Sequence, residues 1–409
     1  MEQFFTVTNL ADILSVSIRT VITWVKKGTL NLEKNENGQE GFYANQLVGI
    51  SQIESMIDNK WDEEYKVKPV RDFTSIELFA GGGGLALGME KAGFKHVLLN
   101  EFDKSACATL RKNRPSWNVV EGDIHDISFK EYEGKVDFLS GGFPCQAFSY
   151  AGNKGGFEDA RGTLFFELAR TVKEVKPKVF MGENVKGLYT HDKGHTFKVI
   201  KSVIADLGYT LVEPQLLKAI QYQVPQKRER LILIAIRNDI ADKVKFHYPS
   251  PFNRVVTLRD AFFKGLLYDC DVPESIGQKY PQRKKEIMEQ VPMGGYWKDL
   301  PDDLQLEYMK GSYYMGGGKT GIARRLSLDE PSLTLTCAPA MKQTERCHPT
   351  ETRPLTVREY ARIQTFPDDW EFCGNMTAQY KQIGNAVPVN LAAAVGRSLI
   401  RLFNNIEAL

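Results

Sequence analysis

Cys145 lies in the run Ser140-Gly141-Gly142-Phe143-Pro144-Cys145-Gln146, directly after an apolar, strand-like segment. A cysteine on a Gly/Pro-rich loop at the C-terminal end of a strand faces the crevice where open α/β sheets bind ligands. A part-exposed thiol there can act as a nucleophilic thiolate. Glu183-Asn184-Val185 ends another apolar segment, Val179–Met181. Burial of the Glu183 carboxyl would favour its protonated form, fit to donate to a ring nitrogen. Gln226-Lys227-Arg228-Glu229-Arg230 precedes the apolar run Leu231–Ile236. Strand alternation places Arg228 and Arg230 on one face, where two guanidinium groups suit a carbonyl oxygen and a phosphate. Cys107, Cys270, Cys337, Cys347 and Cys373 read as small buried hydrophobes. No C-x-x-C or H-E-x-x-H spacing occurs, and Gly194 interrupts His191 and His195, so no metal site is expected.

A second group of residues has the pattern of a nucleotide site. Phe79-Ala80-Gly81-Gly82-Gly83-Gly84 follows the strand-like Ser75–Phe79 and opens a helix-like segment. Small residues there let a ligand approach backbone N–H groups. Gly81 to Ala86 fits G-x-G-x-x-A, a weak fingerprint that would suggest NAD. Glu101 ends the next strand and can accept from two ribose hydroxyls, and Phe102 offers a ring to stack on adenine. Asp123, after a third strand, can accept from an adenine amino group. These residues alone leave NAD and S-adenosylmethionine open.

The elements that must hold these residues follow an alternating rhythm. Strands are expected at Ser75–Phe79, Val97–Asn100, Val119–Glu121, Val136–Ser140, Val179–Met181 and Leu231–Ile236. Helices are expected at 163–175, 197–207 and 390–403. The pattern implies an α/β fold with an open, mainly parallel, doubly wound sheet. Residues 238–352 lose the rhythm and carry Pro, Gly, aromatics and the basic clusters Arg283-Lys284-Lys285 and Arg324-Arg325, the composition of an irregular second domain. Residues 1–60 read as a small helical module. Thr8 caps a first helix and Ser17 a second, Ile18 to Lys27, which ends at Gly28. The segment resembles excisionase-like helix-turn-helix modules, with Arg19, Thr20, Thr23 and Lys26 facing a groove. Residues 61–72 read as a linker.

The 409 residues carry 53 Lys+Arg against 51 Asp+Glu, a net charge of +2, and 42% are hydrophobic. These values fit a globular chain of two or three domains and exclude a disordered or polybasic one. No uninterrupted stretch of about 18 apolar residues marks a membrane span, and Met1–Asn9 lacks a secretory pattern. Six cysteines are too few for a disulfide scaffold and suit a reducing cytoplasm.

The glycine run at 79–84, Phe143-Pro144-Cys145-Gln146, Glu183-Asn184-Val185 and Gln226 to Arg230 resemble, in order and spacing, the motifs of bacterial DNA cytosine-5 methyltransferases. Two further stretches are similar, Arg353 to Pro367 and Gln382-Ile383-Gly384-Asn385-Ala386-Val387-Pro388, so the likeness spans roughly 73–404. It implies a Rossmann-like S-adenosylmethionine-dependent sheet at 73–237 and 353–409, with a target-recognition domain at 238–352. It implies that Cys145 attacks carbon 6 of a flipped cytosine, Glu183 serves ring nitrogen 3, Arg230 binds the carbonyl oxygen and Arg228 steadies the base or its phosphate. The cofactor residues it implies are Phe79, Gly82, Gly84, Glu101, Phe102, Asp123, Ile124, Pro144, Leu164, Asn385 and Val387, with Phe102 where relatives often have Trp. The expected substrate is double-stranded DNA, bound by a monomer, with a separate restriction endonuclease as the functional counterpart. The loop from Gln146 through Gly156 is expected to close over the base. Leu333-Thr334-Leu335-Thr336 resembles the recognition domain's Thr-Leu element, and Met315 to Lys319 and Lys342 to Arg346 are expected to contact DNA.

Overall fold

The computed structural model describes residues 3–36, 38–143, 164–317 and 319–409. Pro144, Cys145, the loop Gln146–Gly156 and the stretch up to Thr163 lie outside them.

The chain opens with β1 (Phe4–Thr6), α1 (Val7–Leu14), α2 (Ile18–Lys26), β2 (Glu33–Lys34), β3 (Glu40–Tyr43) and α3 (Ser51–Ile57). Thr6, not Thr8, caps α1, through a reciprocal box with Asn9. Thr8 lies inside the helix because β1 leads into it without a break. Ser15, at φ 55°, ends α1, and the Ser17 hydroxyl accepts the N–H of Thr20 to start α2. Leu10, Ala11, Ile13 and Val21 pack inside. β1, ahead of the two helices, joins β3 and β2 behind them in an antiparallel sheet of order β1-β3-β2.

Residues 61–72 are not a plain linker. They include α4 (Trp61–Tyr65), whose Trp61 is buried under the Arg397 guanidinium, 5.1 Å from its ring. Glu64 is buried and accepts from the Ser250 N–H and hydroxyl.

The alternating region contains β4 (Phe73–Leu78), α5 (Gly84–Ala92), β5 (Phe94–Glu101), α6 (Lys104–Asn113), β6 (Val119–Glu121) and β7 (Phe138–Gly142). It continues with α7 (Leu164–Val175), β8 (Val179–Asn184), α8 (His195–Asp206), β9 (Tyr209–Leu211), β10 (Gln215–Lys218), β11 (Gln226–Lys227) and β12 (Glu229–Arg237). The sheet order is β10-β12-β8-β7-β4-β5-β6, with β9 also on β12. β6, β5, β4, β7 and β8 are parallel, whereas β12 runs antiparallel to β8, β9 and β10. The sheet is therefore mixed: β12 follows β10 through residues 219–228, which hold no α-helix, so the two strands can run antiparallel. On one face Leu139, Phe165, Leu168 and Val172 share a buried core.

The later elements are α9 (Asn238–Ala241), α10 (Leu258–Phe262), α11 (Gln282–Glu289), α12 (Asp302–Met309), β13 (Ser332–Leu333), α13 (Val357–Ile363), α14 (Met376–Asn385) and α15 (Val389–Glu407). α15 covers the other face of the sheet. Its Phe403 ring lies 5.2 Å from that of Phe73 and 5.7 Å from that of Phe94, and Gly88 and Gly396 let α5 and α15 approach closely. The segment Met376–Glu407 is long and apolar enough to cross a membrane, but 89% of its most apolar window is buried in the protein.

The chain forms two compact units. One comprises Met1–Asp58, Gln223–Arg228 and Phe252–Ala386; the other comprises Asn59–Tyr222, Glu229–Pro251 and Val387–Leu409. Residues 353–386 thus group with the irregular domain and not with the sheet, as does the N-terminal module. In the irregular unit, Lys227 forms a 2.9 Å ion pair with Asp12 of α1, and Thr8 donates to Glu330. The same unit builds its core with few strands. Buried Arg325 donates to Val291 O, Met288 O, His348 O, Glu351 O and the Thr352 hydroxyl. Fully buried Arg362 pairs with Asp368 and binds three main-chain carbonyls. Guanidinium groups here do what a sheet ladder does elsewhere, satisfying carbonyls that would otherwise be buried alone.

Candidate active site

The candidate side chains of the sheet unit sit where its parallel strands end. Gly142 ends β7 and Glu183 stands near the end of β8, and the two are register partners. Glu183 is 9% exposed and its Oε1 lies 2.5 Å from Arg230 Nε. Arg230 reaches it from the start of β12, whose Ile232 is the other register partner of Glu183. Burial pushes the Glu183 carboxyl above its usual range, and the charge of Arg230 offsets part of that rise. Burial likewise lowers Arg230, which Glu183 counters. The side-chain amide of Asn184 donates to Phe143 O at 2.7 Å, and its oxygen accepts from Val185 N–H at 2.8 Å. Asn184 therefore ties the end of β8 to the residue just before Pro144.

The glycine turn after β4 runs through left-handed backbone at three positions. Phe79 has φ 58°, Gly81 φ 56° and Gly83 φ 88°. A positive φ at Phe79 is unusual for a residue with a side chain. A Cβ added to Gly81 would meet nothing within 4 Å, so its backbone borders open space. Gly82 and Gly84 are buried at the start of α5. Glu101 Oε2 accepts from Gly81 N–H at 2.7 Å, and Oε1 accepts from the N–H groups of Phe102 and Asp103. A carboxylate has about four acceptor sites, so Glu101 retains capacity for a hydroxyl donor. The Phe102 ring is 72% exposed. Asp123 caps the turn Ile124–Asp126. The Ile124 side chain is buried in the core, so any ligand contact it makes falls to its main chain. Leu164 begins α7 against the same core.

Arg228 and Arg230 do not share a strand face. Arg228 lies in the break between β11 and β12 and belongs to the irregular unit. It is 3% exposed, and its Nη atoms donate to Leu335 O, Gly384 O and Asn385 O. Its guanidinium thus holds the main chain of that unit instead of facing a solvated edge. Asn385 is exposed there and accepts from Cys337 Sγ, while Val387 lies buried in the sheet unit. The expected DNA-facing clusters divide in the same way. Arg325, Glu345 and Arg346 are buried; Lys284 pairs with Glu345, and Arg283 pairs with Glu307. Such placement reflects core satisfaction in a unit short of regular structure.

Two residues escaped sequence reasoning. Glu77 on β4 is 1% exposed, and burial pushes its carboxyl well up, while Ala86 N–H of α5 hydrogen-bonds it. An acid in the middle of an apolar strand was the available signal. His125, two residues after Asp123, bonds that carboxylate; nothing in its spacing marks it. Among the described residues, no group of three or more His, Cys, Asp or Glu could hold a metal ion.

Residues 73–401 match the family described as C-5 cytosine-specific DNA methylase. The chain is 61% identical over 408 residues to the Type II methyltransferase M.Eco47II of Escherichia coli, covering 100% of this chain and 98% of that protein. It is 60% identical over 404 residues to M.PspPI of a Psychrobacter species, covering 98% and 97%. Against M.Sau96I of Staphylococcus aureus the identity is 50% over 355 residues, covering 85% and 81%. Among solved structures, a prophage-encoded putative DNA modification methyltransferase labelled E. coli aligns with TM-score 0.58 at 24% identity, covering 81% of this chain and all of that one. Spodoptera frugiperda DNMT2 aligns with TM-score 0.56 at 16% identity, covering 82% and 100%. These structural likenesses concern the fold.

Proposed function

The chain belongs to the C-5 cytosine-specific DNA methylases, and from that premise we propose how its residues carry the reaction of a DNA cytosine-5 methyltransferase. The observation that carries the proposal is the buried Glu183–Arg230 pair, set beside Gly142 at the strand end that leads to Cys145. The Cys145 thiolate adds to carbon 6 of the cytosine. Electrons of the ring double bond move toward nitrogen 3, where the raised Glu183 carboxyl supplies a proton, and Arg230 binds the neighbouring carbonyl oxygen. Carbon 5 is thereby made nucleophilic. After it has been alkylated, loss of its proton expels Cys145 and restores the ring. The target atom is inside a duplex, so the base must flip out, at a cost of a few kcal/mol that protein contacts offset.

The donor set at the other strand ends fits S-adenosylmethionine. Glu101 and Asp123 are acceptors for hydroxyl and amino donors, Phe102 is an exposed ring, and Gly81 leaves its backbone open. Bound there, S-adenosylmethionine supplies an electrophilic methyl group. Phe79, Gly82 and Gly84 would hold its methionine part, Glu101 its ribose, and Phe102, Asp123 and Ile124 its adenine, with Leu164 and Val387 beside them; the family likeness also assigns Pro144 and Asn385 to the cofactor. Arg228 acts as a positioning residue for the main chain around Asn385.

The relatives named Type II methyltransferases support a role in a restriction-modification system. The protein would then act as a monomer on cytoplasmic DNA and protect it from a separate endonuclease. The N-terminal module favours a second, compatible activity: α2 and its C-terminal cap expose Arg19, Thr23, Lys26 and Lys27 toward solvent, a face suited to duplex phosphates. Thr20 is half-buried beside the Ser17 hydroxyl, and Glu33, Glu36 and Glu40 outnumber Lys34 on the following hairpin. Any phosphate contact therefore belongs to α2.

Cys145→Ser tests the main reading. It is expected to abolish methyl incorporation into duplex DNA while S-adenosylhomocysteine still binds. Methylation persisting in that variant would overturn the covalent route.

A further inference from the structure

The two carboxylate oxygens of Asp123 are not equivalent. Oδ1 accepts from the His125 backbone N–H at 3.1 Å and contacts the His125 ring Nδ1 at 2.6 Å. Oδ2 has no partner among the described residues, and the side chain is 47% exposed. The His125 hydrogen bond holds the Asp123 carboxyl below its usual range. An ionised carboxylate only accepts, so Nδ1 carries the proton in this bond.

The ring and its turn are held from behind by α7. His125 Nε2 lies 4.0 Å from Oε1 of Glu167, which is 7% exposed. Arg170 binds Glu167 through Nε at 2.8 Å and donates another N–H to Ile124 O at 2.8 Å. Its remaining Nη meets Glu174 at 2.9 Å, and Glu174 accepts the N–H of Phe129 at 2.7 Å. The turn Ile124–Asp126 is thus fastened to α7 by main chain and side chain together. Among the described residues, neither Glu167 nor Arg170 reaches Asp123, whereas His125 does.

We propose that His125 is a positioning residue for the adenine end of the cofactor: by occupying Oδ1 of Asp123 it aims Oδ2 outward as an acceptor, and so selects a purine with an exocyclic amino donor. The inference rests on the reading that Asp123 faces adenine. A carboxylate free to rotate presents either oxygen, or binds through water, and discriminates less. A fixed, ionised acceptor favours an amino group and repels the carbonyl oxygen that replaces it in hypoxanthine. Sites built to pair with a particular donor reject the analogue lacking it more strongly than apolar sites do.

The test compares binding of S-adenosylhomocysteine and S-inosylhomocysteine to the full chain by calorimetry, with no dependence on turnover. The unaltered protein is expected to prefer the adenosyl compound by about tenfold or more. His125→Ala should weaken adenosyl binding several-fold and cut that preference to about threefold or less. His125→Asn, which keeps a donor near the position of Nδ1, should restore most of it. In an Asp123→Asn background, His125→Ala should have no further effect on the preference. A His125→Ala protein with unchanged preference overturns the proposal, whether both compounds bind normally or both weaken equally. If Asp123→Ala leaves adenosyl binding and preference intact, the placement of adenine at Asp123 fails, a result distinguishable from failure of His125 alone.

Discussion

Gly142 and Glu183 face each other across the β7–β8 ladder, and a Cβ on Gly142 would fall 2.9 Å from Glu183 Oε2. The carboxyl cannot shift away without disturbing its 2.5 Å contact with Arg230. Gly142→Ala is therefore expected to leave the protein folded but to lower kcat by roughly 10²-fold, since small misplacements of a catalytic group cost that much. Methyl-incorporation kinetics with a circular dichroism control check this. Wild-type kcat in the variant would mean that the carboxyl acts from another position.

The Glu183–Arg230 pair also fixes the direction of a pH effect. A proton-donating Glu183 loses activity as pH rises through its carboxyl pKa. Burial raises that pKa and Arg230 restrains it. Arg230→Met removes the restraint, so the alkaline limb of kcat should move to higher pH while the plateau falls. Glu183→Gln should lose about 10²–10⁴-fold in kcat and eliminate that limb. A limb that stays in place in Arg230→Met would assign it to another group.

At the opposite end of the sheet, Arg71 binds Asp137 and Glu407, and Lys178 binds Glu407 at 2.7 Å. Hydrogen bonds from Arg71 and Lys178 pull the Glu407 carboxyl down to about 2. A lowered carboxyl stabilises the fold above its unfolded pKa and loses that contribution as pH falls through the folded value. The group is near the surface, so the effect is about 0.5–1 kcal/mol. Melting curves should show Glu407→Gln less stable than wild type above about pH 5, with the gap closing between about pH 4.5 and 2. A gap independent of pH would remove the carboxylate as its cause.

For the N-terminal module, the combined change Arg19→Glu, Lys26→Glu and Lys27→Glu is expected to weaken duplex binding. It should also reduce the slope of log affinity against log salt by about 2–3, as expected for three lost phosphate contacts. Binding isotherms at several salt concentrations measure it. An unchanged slope would leave α2 without a DNA role.

The strand ends that carry Glu101, Asp123, Gly142 and Glu183 were legible because parallel strands are short apolar runs closed by glycine or acid. Arg228 was not. Two residues apart on one strand means one face, but β11 pairs with β13, more than a hundred residues away, and β12 pairs with β8. Only those long-range partners place the break at Arg228. Trp61 was hidden by its charged neighbours, although its ring anchors α4 beneath Arg397. Arg325, Arg346 and Glu345 look like surface residues in any window, because no periodicity marks a side chain recruited to satisfy carbonyls in an irregular core. Cys107 and Cys347 are buried as small hydrophobes, whereas Cys270 and Cys337 are exposed and Cys373 is half-buried, which nothing in their spacing marks.

The break at Arg228 bears on how such a gene can exchange parts by recombination. A cassette encoding Phe252–Ala386, moved alone into a related gene, would carry β13, Leu335, Gly384 and Asn385. It would leave behind the β11 strand and the Arg228 guanidinium that bind them. It would also separate Glu330 from Thr8 and from Lys227, which holds Asp12. Three separate stretches of coding sequence must therefore be inherited together or repaired by matching substitutions. Chimeras should survive when residues 223–228 and the N-terminal module travel with the cassette, and fail to fold when they do not.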